Sequence, residues 1–401
     1  MGKKTPHQKH FPDDLFNPSI FIASGPDAYK NTKEVISKID IASVSGKRVL
    51  LKPNAGRADA AGSGITTNPL VVAAAIDAFR EAGAFVAVGE SPITGVKAHD
   101  AFRTTGIAGI AEERDCPLLN MDERQPVRVR IKDGAAIKSL KVCPEIFEYD
   151  FIVSIPVMKT HMHTVVTLSV KNMKGCLWRR SKVDLHMLPP LKGTDIKPLD
   201  IAIADMVSVL RPHLSIIDGS TCMEGLGPRA GKPKKLDLVI AGIDPFAADT
   251  VACALMGINS DDVPHLQIGG LRGYGVTDIV KINISPGTWK NLISKFELPA
   301  ENLSLHFPGI TILDEQSCSA CQSTLLLFLE KYGEEIFDYF PGQENITIAI
   351  GKGHNSVPRG TLCIGNCTAN NKRKGIYVSG CPPVSSQILK KISGKDIDDN
   401  G

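Results

Sequence analysis

Short, nearly uninterrupted aliphatic runs recur along this chain, with helical patterns between them, and they restrict its fold more than any other feature. The runs are Ser19–Ala23, Lys47–Leu51, Ala84–Val88, Phe151–Ile155, Leu214–Ile217 and Leu236–Ala241. A strand that is apolar on both faces must be covered on both. That is the condition of a parallel sheet between helical layers. The intervening helices carry end signals. Asn68 is placed to cap a helix over Pro69–Ala82, with Pro69 in its first turn and Gly83 just past its end. Further helices are predicted over Leu199–Leu210 and Phe246–Met256. The expected class is α/β, with a mostly parallel sheet covered by helices.

Two stretches depart from this rhythm. Val127–Ile131 alternates strictly between apolar and charged residues, which predicts a half-exposed antiparallel strand or hairpin. Residues 176–198 read as a long loop of the kind used as lids or binding segments. A second, smaller α/β domain is predicted over residues 300–401. Its strands are Gly309–Leu313, Ile346–Ile350, Thr361–Ile364 and Ile376–Val378, with helices over Leu325–Phe337 and Val384–Ile392. Residues 1–18 are expected to form a flexible basic tail, leaving 19–299 as the large domain.

The small domain contains cysteines spaced as ligands. Cys318 and Cys321 form a C-x-x-C, Cys363 and Cys367 a C-x-x-x-C, and Cys381 precedes Pro382. Each group follows a strand, and parallel strands bring their carboxyl ends to one edge. Four thiolates meeting there match an iron–sulfur cluster, 4Fe–4S first, with zinc as the alternative metal. The ligands are read as Cys318, Cys321, Cys367 and Cys381. Cys363 sits in an apolar stretch and is the alternate to Cys367. A C-x-x-C opening a helix also suits thiol–disulfide exchange, but that leaves Cys367 and Cys381 unexplained.

Composition removes other classes. The net charge of +3 creates no field to recruit nucleic acid, and aromatics at 5% are too sparse for base stacking. No run approaches the roughly 20 apolar residues of a membrane span, and the polar start lacks a signal-peptide core. A cytoplasmic protein with reduced thiols is expected.

In the large domain, polar residues follow the apolar strands and would ring one crevice. Lys159, His161 and Glu90 are the candidate catalytic residues. Lys52, Asn54, Lys171, Asn172, Lys174 and Asp218 are the candidate substrate-binding residues. The lysines suit a small anionic metabolite, and His161 or Glu90 would move protons. The bland alternative for the Lys159–Lys174 segment is a solvated basic edge strand. The loop Gly56–Asn68 is small-residue-rich and enters a helix, where backbone N–H groups can cradle an anion. Asp205 is placed on a helix and turned either toward the crevice or toward solvent, with the crevice favoured. Walker, dinucleotide, G-x-S-x-G, H-E-x-x-H and EF-hand patterns are absent.

These segments also carry a resemblance. They are Leu51–Asn54 (LKPN), Thr67–Pro69, Val88–Ser91, Pro156–His161 (PVMKTH), Leu168–Gly175 (LSVKNMKG), Leu199–Asp205, Ile217–Gly219 and Asp244–Asp249. Over about residues 45–275 the chain resembles the prokaryotic domain-of-unknown-function family three-hundred-and-sixty-two, whose members are often iron–sulfur proteins. Many members end in a ferredoxin-like cysteine run. Here the cysteines are dispersed, and Gly380–Pro383 (GCPP) is similar to the cluster-ligand segment of hydrogenase and complex I small subunits. The resemblance implies one cluster rather than two.

The expected function is electron transfer or a redox reaction on a small anionic or carbonyl-bearing ligand, with an external redox protein such as a ferredoxin as partner. Two alternatives stand beside it. One is a lyase or isomerase that uses a cluster iron as Lewis acid. The other is a non-enzymatic cluster-sensing or scaffold module. Self-association into a homo-oligomer is left open.

Overall fold

The computed structural model describes Phe11, Asp14, residues 16–299 and residues 307–394. Two compact units form, one of residues 1–185 with 190–299, the other of 300–401 with 186–189. The segment His186–Pro189 therefore belongs with the small unit, although the sequence pattern assigned it to the large one.

The large unit begins β1 (Ser19–Ser24), α1 (Ala28–Ser37), β2 (Arg48–Pro53), α2 (Pro69–Glu81) and β3 (Phe85–Glu90). It continues α3 (Ala98–Thr104), α4 (Ile107–Glu113), β4 (Leu118–Asn120), β5 (Val127–Arg130), β6 (Ser139–Val142) and β7 (Phe151–Ile155). Then come β8 (Val157–His161), β9 (Val165–Thr167), α5 (Ser169–Asn172), α6 (Ser181–Asp184) and α7 (Pro198–Leu210). It closes with β10 (Leu214–Leu226), β11 (Ala230–Gly242), α8 (Pro245–Leu255), α9 (Pro264–Leu271) and β12 (Asn283–Ser285).

The main sheet runs β12–β1–β11–β10–β7–β2–β3–β4, with β8 and β9 attached beside β10. All pairs along this path are parallel except those of β11, which is antiparallel to both β1 and β10. The short connection from Leu226 to Ala230 permits only antiparallel pairing. Both strands extend well beyond their apolar halves as a paired ribbon, polar on β11 and with Cys222, Met223 and Leu226 buried on β10, and with a register shift between Gly219 and Thr221. The alternating segment Val127–Arg130 pairs antiparallel with Ser139–Val142. Residues 176–198, expected as loop, contain the short α6.

Helix α2 forms as its end signals dictate, with Asn68 Oδ1 accepting from the Leu70 N–H and Pro69 in the first turn. Its Val71, Ile76 and Phe79 join Val49, Leu51 and Val153 in one continuous core. Full burial of each such side chain contributes roughly 1.5–3 kcal/mol. Helix α8 packs on β10 and β11 and is buried nearly all round. Phe11 falls within the expected flexible tail, yet it is 3% exposed, with its ring 4.7 Å from that of Phe151. That apolar side chain gains more from the core than the tail gains from freedom. The rest of the expected tail before Phe11 lies outside the described residues.

The small unit holds β13 (Ile310–Asp314), α10 (Ser319–Tyr332), β14 (Ile346–Ile350), β15 (Leu362–Ile364), β16 (Ile376–Val378) and α11 (Ser385–Ser393). Its four strands are parallel and lie in chain order. Leu325, Phe328, Ile388 and Leu389 from the two helices cover one face. Helix α10 begins six residues before the expected Leu325, because Cys318 to Thr324 lacks an apolar rhythm yet continues the same turn.

Candidate functional site

The strand pair β8–β9 positions the large-unit candidates. Its register sets Lys159 opposite Thr167, and the same face receives Lys171 from α5, whose Nζ donates to Thr167 Oγ1 at 2.9 Å. Lys159 Nζ donates to the Ile65 carbonyl at 2.6 Å. The short α5 is held by Asp249 of α8. Its carboxylate accepts from the N–H groups of Ser169 at 2.7 Å and Val170 at 2.9 Å. β8 and α5 are buried throughout, which removes the solvated edge-strand reading.

A second group of candidates is locked into a structural network. Lys52 Nζ lies 2.7 Å from Glu90 Oε2 and also donates to the Pro53 carbonyl and Asn172 Oδ1. Glu90 further accepts from the backbone N–H of Ala55 and of Ser91. Asn172 Nδ2 donates to the Lys52 carbonyl and Ser154 Oγ. A Cβ on Gly175 would stand 2.4 Å from Glu90 Oε1 and 2.5 Å from Lys52 Nζ, so glycine is required there. A carboxylate with both oxygens so committed anchors this network.

Asp218 is similarly engaged, accepting from the Asn68 and Ser220 N–H groups and from Ser220 Oγ. It and the Asn68 side chain occupy the N-terminus of α2, so the loop Gly56–Asn68 offers no open anion cradle there. Asp205 faces the β5–β6 hairpin rather than a crevice. It accepts from the N–H groups of Ala135, Ala136 and Ile137 and pairs with Arg272 at 2.7 Å. The Asn54 backbone N–H donates to Thr67 Oγ1, while its side chain stays partly exposed.

The remaining lysines are electrostatically unusual. Burial, then the charges of Arg57 and Lys52, push Lys159 down to about 7 against the opposing pull of Asp59 and Glu90. Burial, then Lys174 and Lys159, hold Lys171 well below the usual lysine range, with Asp200 opposing. Half-buried Lys174 falls to about 7 through burial and the nearby Lys182. His161 Nδ1 accepts from the His163 backbone N–H at 3.1 Å, so the neutral ring carries its proton on Nε2. The two imidazoles lie 5.5 Å apart.

In the small unit, the parallel register sends Cys318, Cys367 and Cys381 to one edge of the sheet, each beyond a strand end. Cys321 joins them from the first turn of α10. Cys321 feels the charges of Cys318, Cys367 and Cys381, so the three loops lie within electrostatic range of it. Asn366 ties two of the loops together, its N–H donating to the Gly380 carbonyl and its Oδ1 accepting from the Gly380 N–H at 2.8 Å. Gly365, with φ of +90°, brings the chain past Cys321, whose Sγ would lie 3.6 Å from an added Cβ.

Cys363 lies elsewhere. Its neighbours Leu362 and Ile364 face the helix-covered core, and strand alternation sends Cys363 to the opposite face with Ala349 and Val357. Cys318 stands at the N-cap position of α10, and a hydrogen bond from the Cys321 thiol, followed by backbone N–H groups, pushes it down to about 6 against the opposing effect of burial. Cys321, as the donor, is raised. Burial and the charges of Cys381 and Cys318 raise Cys367. The four donors are all soft thiols, which fits an iron–sulfur cluster or zinc. Among the described residues, no three His, Cys, Asp or Glu side chains already stand arranged to hold a metal ion.

Several residues escaped the sequence reading. Lys182 is buried, its ammonium 3.8 Å from Asp122. Asp200 lies 3.1 Å from His265 Nδ1 in a fully buried pair. Burial raises Asp249 to about 7 despite its backbone hydrogen bonds. His186 Nδ1 lies 2.9 Å from the hydroxyl of Ser319, between the two cysteines of the C-x-x-C. Asp249 and Asp200 had a signal, as members of the Asp244–Asp249 and Leu199–Asp205 segments, and Lys182 and His186 lie in the loop 176–198.

No helix among the described residues is long and apolar enough to cross a membrane. Thylakoid-associated protein sll1697 of Synechocystis sp. (strain ATCC 27184 / PCC 6803 / Kazusa) is 29% identical over 232 residues, covering 58% of this chain and 70% of that protein. Among solved structures, the chain is similar to the lactate racemase apoprotein from Thermoanaerobacterium thermosaccharolyticum. That likeness has a TM-score of 0.41 and 10% identity, over 88% of this chain and 74% of the other. The profile described as Domain of unknown function (DUF362) matches residues 49–254, just over half of the 401 residues, and this chain belongs to that family.

Proposed function

We propose that this chain is an iron–sulfur protein with one cluster, of the 4Fe–4S type, on Cys318, Cys321, Cys367 and Cys381. It would act in electron transfer or in a redox reaction on a small anionic or carbonyl-bearing ligand of the large unit. The observation that carries this reading is the grouping of four thiols at one edge of a parallel sheet while Cys363 points away. A bound cluster supplies one-electron chemistry. Cys318 supports its assembly as a thiolate near neutral pH. Lys159 and Lys171 would hold the ligand, and His161 would carry a proton on Nε2. The chain contains no flavin or nicotinamide motif, so electrons would come from an external redox protein such as a ferredoxin, in the cytoplasm.

Anaerobic purification followed by iron, sulfide and zinc analysis tests this. The expected result is a brown protein with about four irons and four sulfides per chain. Cys367→Ser should lose the cluster and Cys363→Ser should keep it. A colourless protein containing zinc, or loss of iron in Cys363→Ser alone, would overturn the assignment.

A further inference from the structure

We infer that Lys159 and Lys171 form a binding site for a small doubly charged oxyanion, of the phosphate or dicarboxylate kind. This deepens the ligand half of the function proposed above and does not depend on the cluster half.

The argument starts from how this fold treats its other buried lysines. Lys52 is paired with Glu90 at 2.7 Å, and Lys182 has Asp122 at 3.8 Å. Lys159 and Lys171 are as deeply buried, at 3% and 7% exposure, yet neither forms an ion pair among the described residues. Among the described residues each has one internal acceptor, the Ile65 carbonyl or Thr167 Oγ1, for three N–H donors. A buried ammonium left in that condition is strongly destabilising. Two of them within electrostatic reach of each other add repulsion.

The surroundings do not cancel the charge. Lys159 faces Arg57 and Lys52 as well as Asp59 and Glu90, but Glu90 is already paired with Lys52 and Asp59 with Arg229 at 3.7 Å. Lys171 faces Lys174 and Lys159, with Asp200 as the opposing carboxylate, and Asp200 is bound to His265. The missing partners are oxygen acceptors bearing negative charge. Both amines can shed their protons while the site is empty; once both are protonated they call for two negative charges, so a monoanion leaves one ammonium unpaired. A ligand of this kind also changes protonation. It draws protons onto amines that the empty site holds partly neutral, so binding near neutral pH takes up protons.

Isothermal titration calorimetry on the as-purified protein at pH 7.5 tests this, with inorganic phosphate, malonate and acetate as probes. Each is run in two buffers of different ionisation enthalpy. Phosphate or malonate should bind with proton uptake, and acetate at least tenfold more weakly. Lys159→Met and Lys171→Met should each weaken binding at least tenfold. Binding of phosphate alone assigns phosphorylated ligands, and binding of malonate alone assigns dicarboxylates. Both results support the site. Should a variant fail to fold, protection of Lys159 and Lys171 from reductive methylation by the bound probe gives the same information on the natural chain. No binding of either dianion, affinity unchanged in the variants, or an absence of both proton uptake and protection overturns the inference. Iron and sulfide content reports separately on the cluster.

Discussion

The ammonium of Lys52 and the carboxylate of Glu90 meet at 2.7 Å with side-chain exposures of 1% and 2%. Breaking such a pair from one side strands a buried charge, at a cost of about 3–5 kcal/mol. Glu90→Gln and Lys52→Met should each lower stability by about that amount in urea unfolding. Gly175→Ala should cost about 1–3 kcal/mol, because its methyl would press on both members of the pair. Normal stability in Glu90→Gln with lost turnover would instead place Glu90 in the chemistry.

Stability should pass through a trough near pH 7. Lys159 titrates at 10.5 when unperturbed and at about 7 in the fold, so between these values the unfolded chain binds more protons. Its contribution is present above the unfolded pKa and is lost as pH falls toward 7. Asp249 moves the other way, from 3.8 to about 7, so its contribution is present below 3.8 and is lost as pH rises to 7. Urea midpoints measured from pH 4 to 10 should show the minimum. Lys159→Met should flatten the alkaline limb and Asp249→Asn the acidic one.

Cys318 should be the fastest-alkylating thiol of the metal-free protein at neutral pH. Its pKa of about 6 places the midpoint of iodoacetamide reactivity roughly three units below that of an ordinary cysteine at 9.0. Mass spectrometry of the modified peptide across pH 5–9 checks this. Cys321→Ala removes the main hydrogen bond and should shift the midpoint upward. An unchanged midpoint would assign the effect to the helix terminus alone.

Asn366→Ala removes the side chain that holds the Cys367 and Cys381 loops against each other, while leaving every thiol in place. We expect iron content after desalting to fall severalfold, with a stability loss of only about 0.5–1.5 kcal/mol for the lost hydrogen bond. Equal loss of iron and of fold would make Asn366 a general structural residue.

The strands were readable where both faces are buried, as in Phe151–Ile155 and Ile346–Ile350, because pattern and environment coincide there. The outer halves of β10 and β11 were not, since a paired ribbon without a continuous apolar run looks like loop. The expectation that the cysteines meet rested on strands read from local apolar runs, and those four strands do form in parallel. The condition of Lys159 and Lys171 did not follow, because charge in a sequence reads as exposure. Their burial comes from β10 and from Asp249, about eighty residues away. The pairing of Glu90 was hidden for the same reason: its partner Lys52 is distant in the chain.

The small sheet lists its four parallel strands in the order the chain makes them. The loops bearing Cys318, Cys367 and Cys381 therefore each leave from a strand of their own. Such a layout is modular. One loop can be lengthened, shortened or given a different donor while the remaining loops keep their supports. Dispersed cysteines, unlike a contiguous run, leave each corner of a site open to separate change.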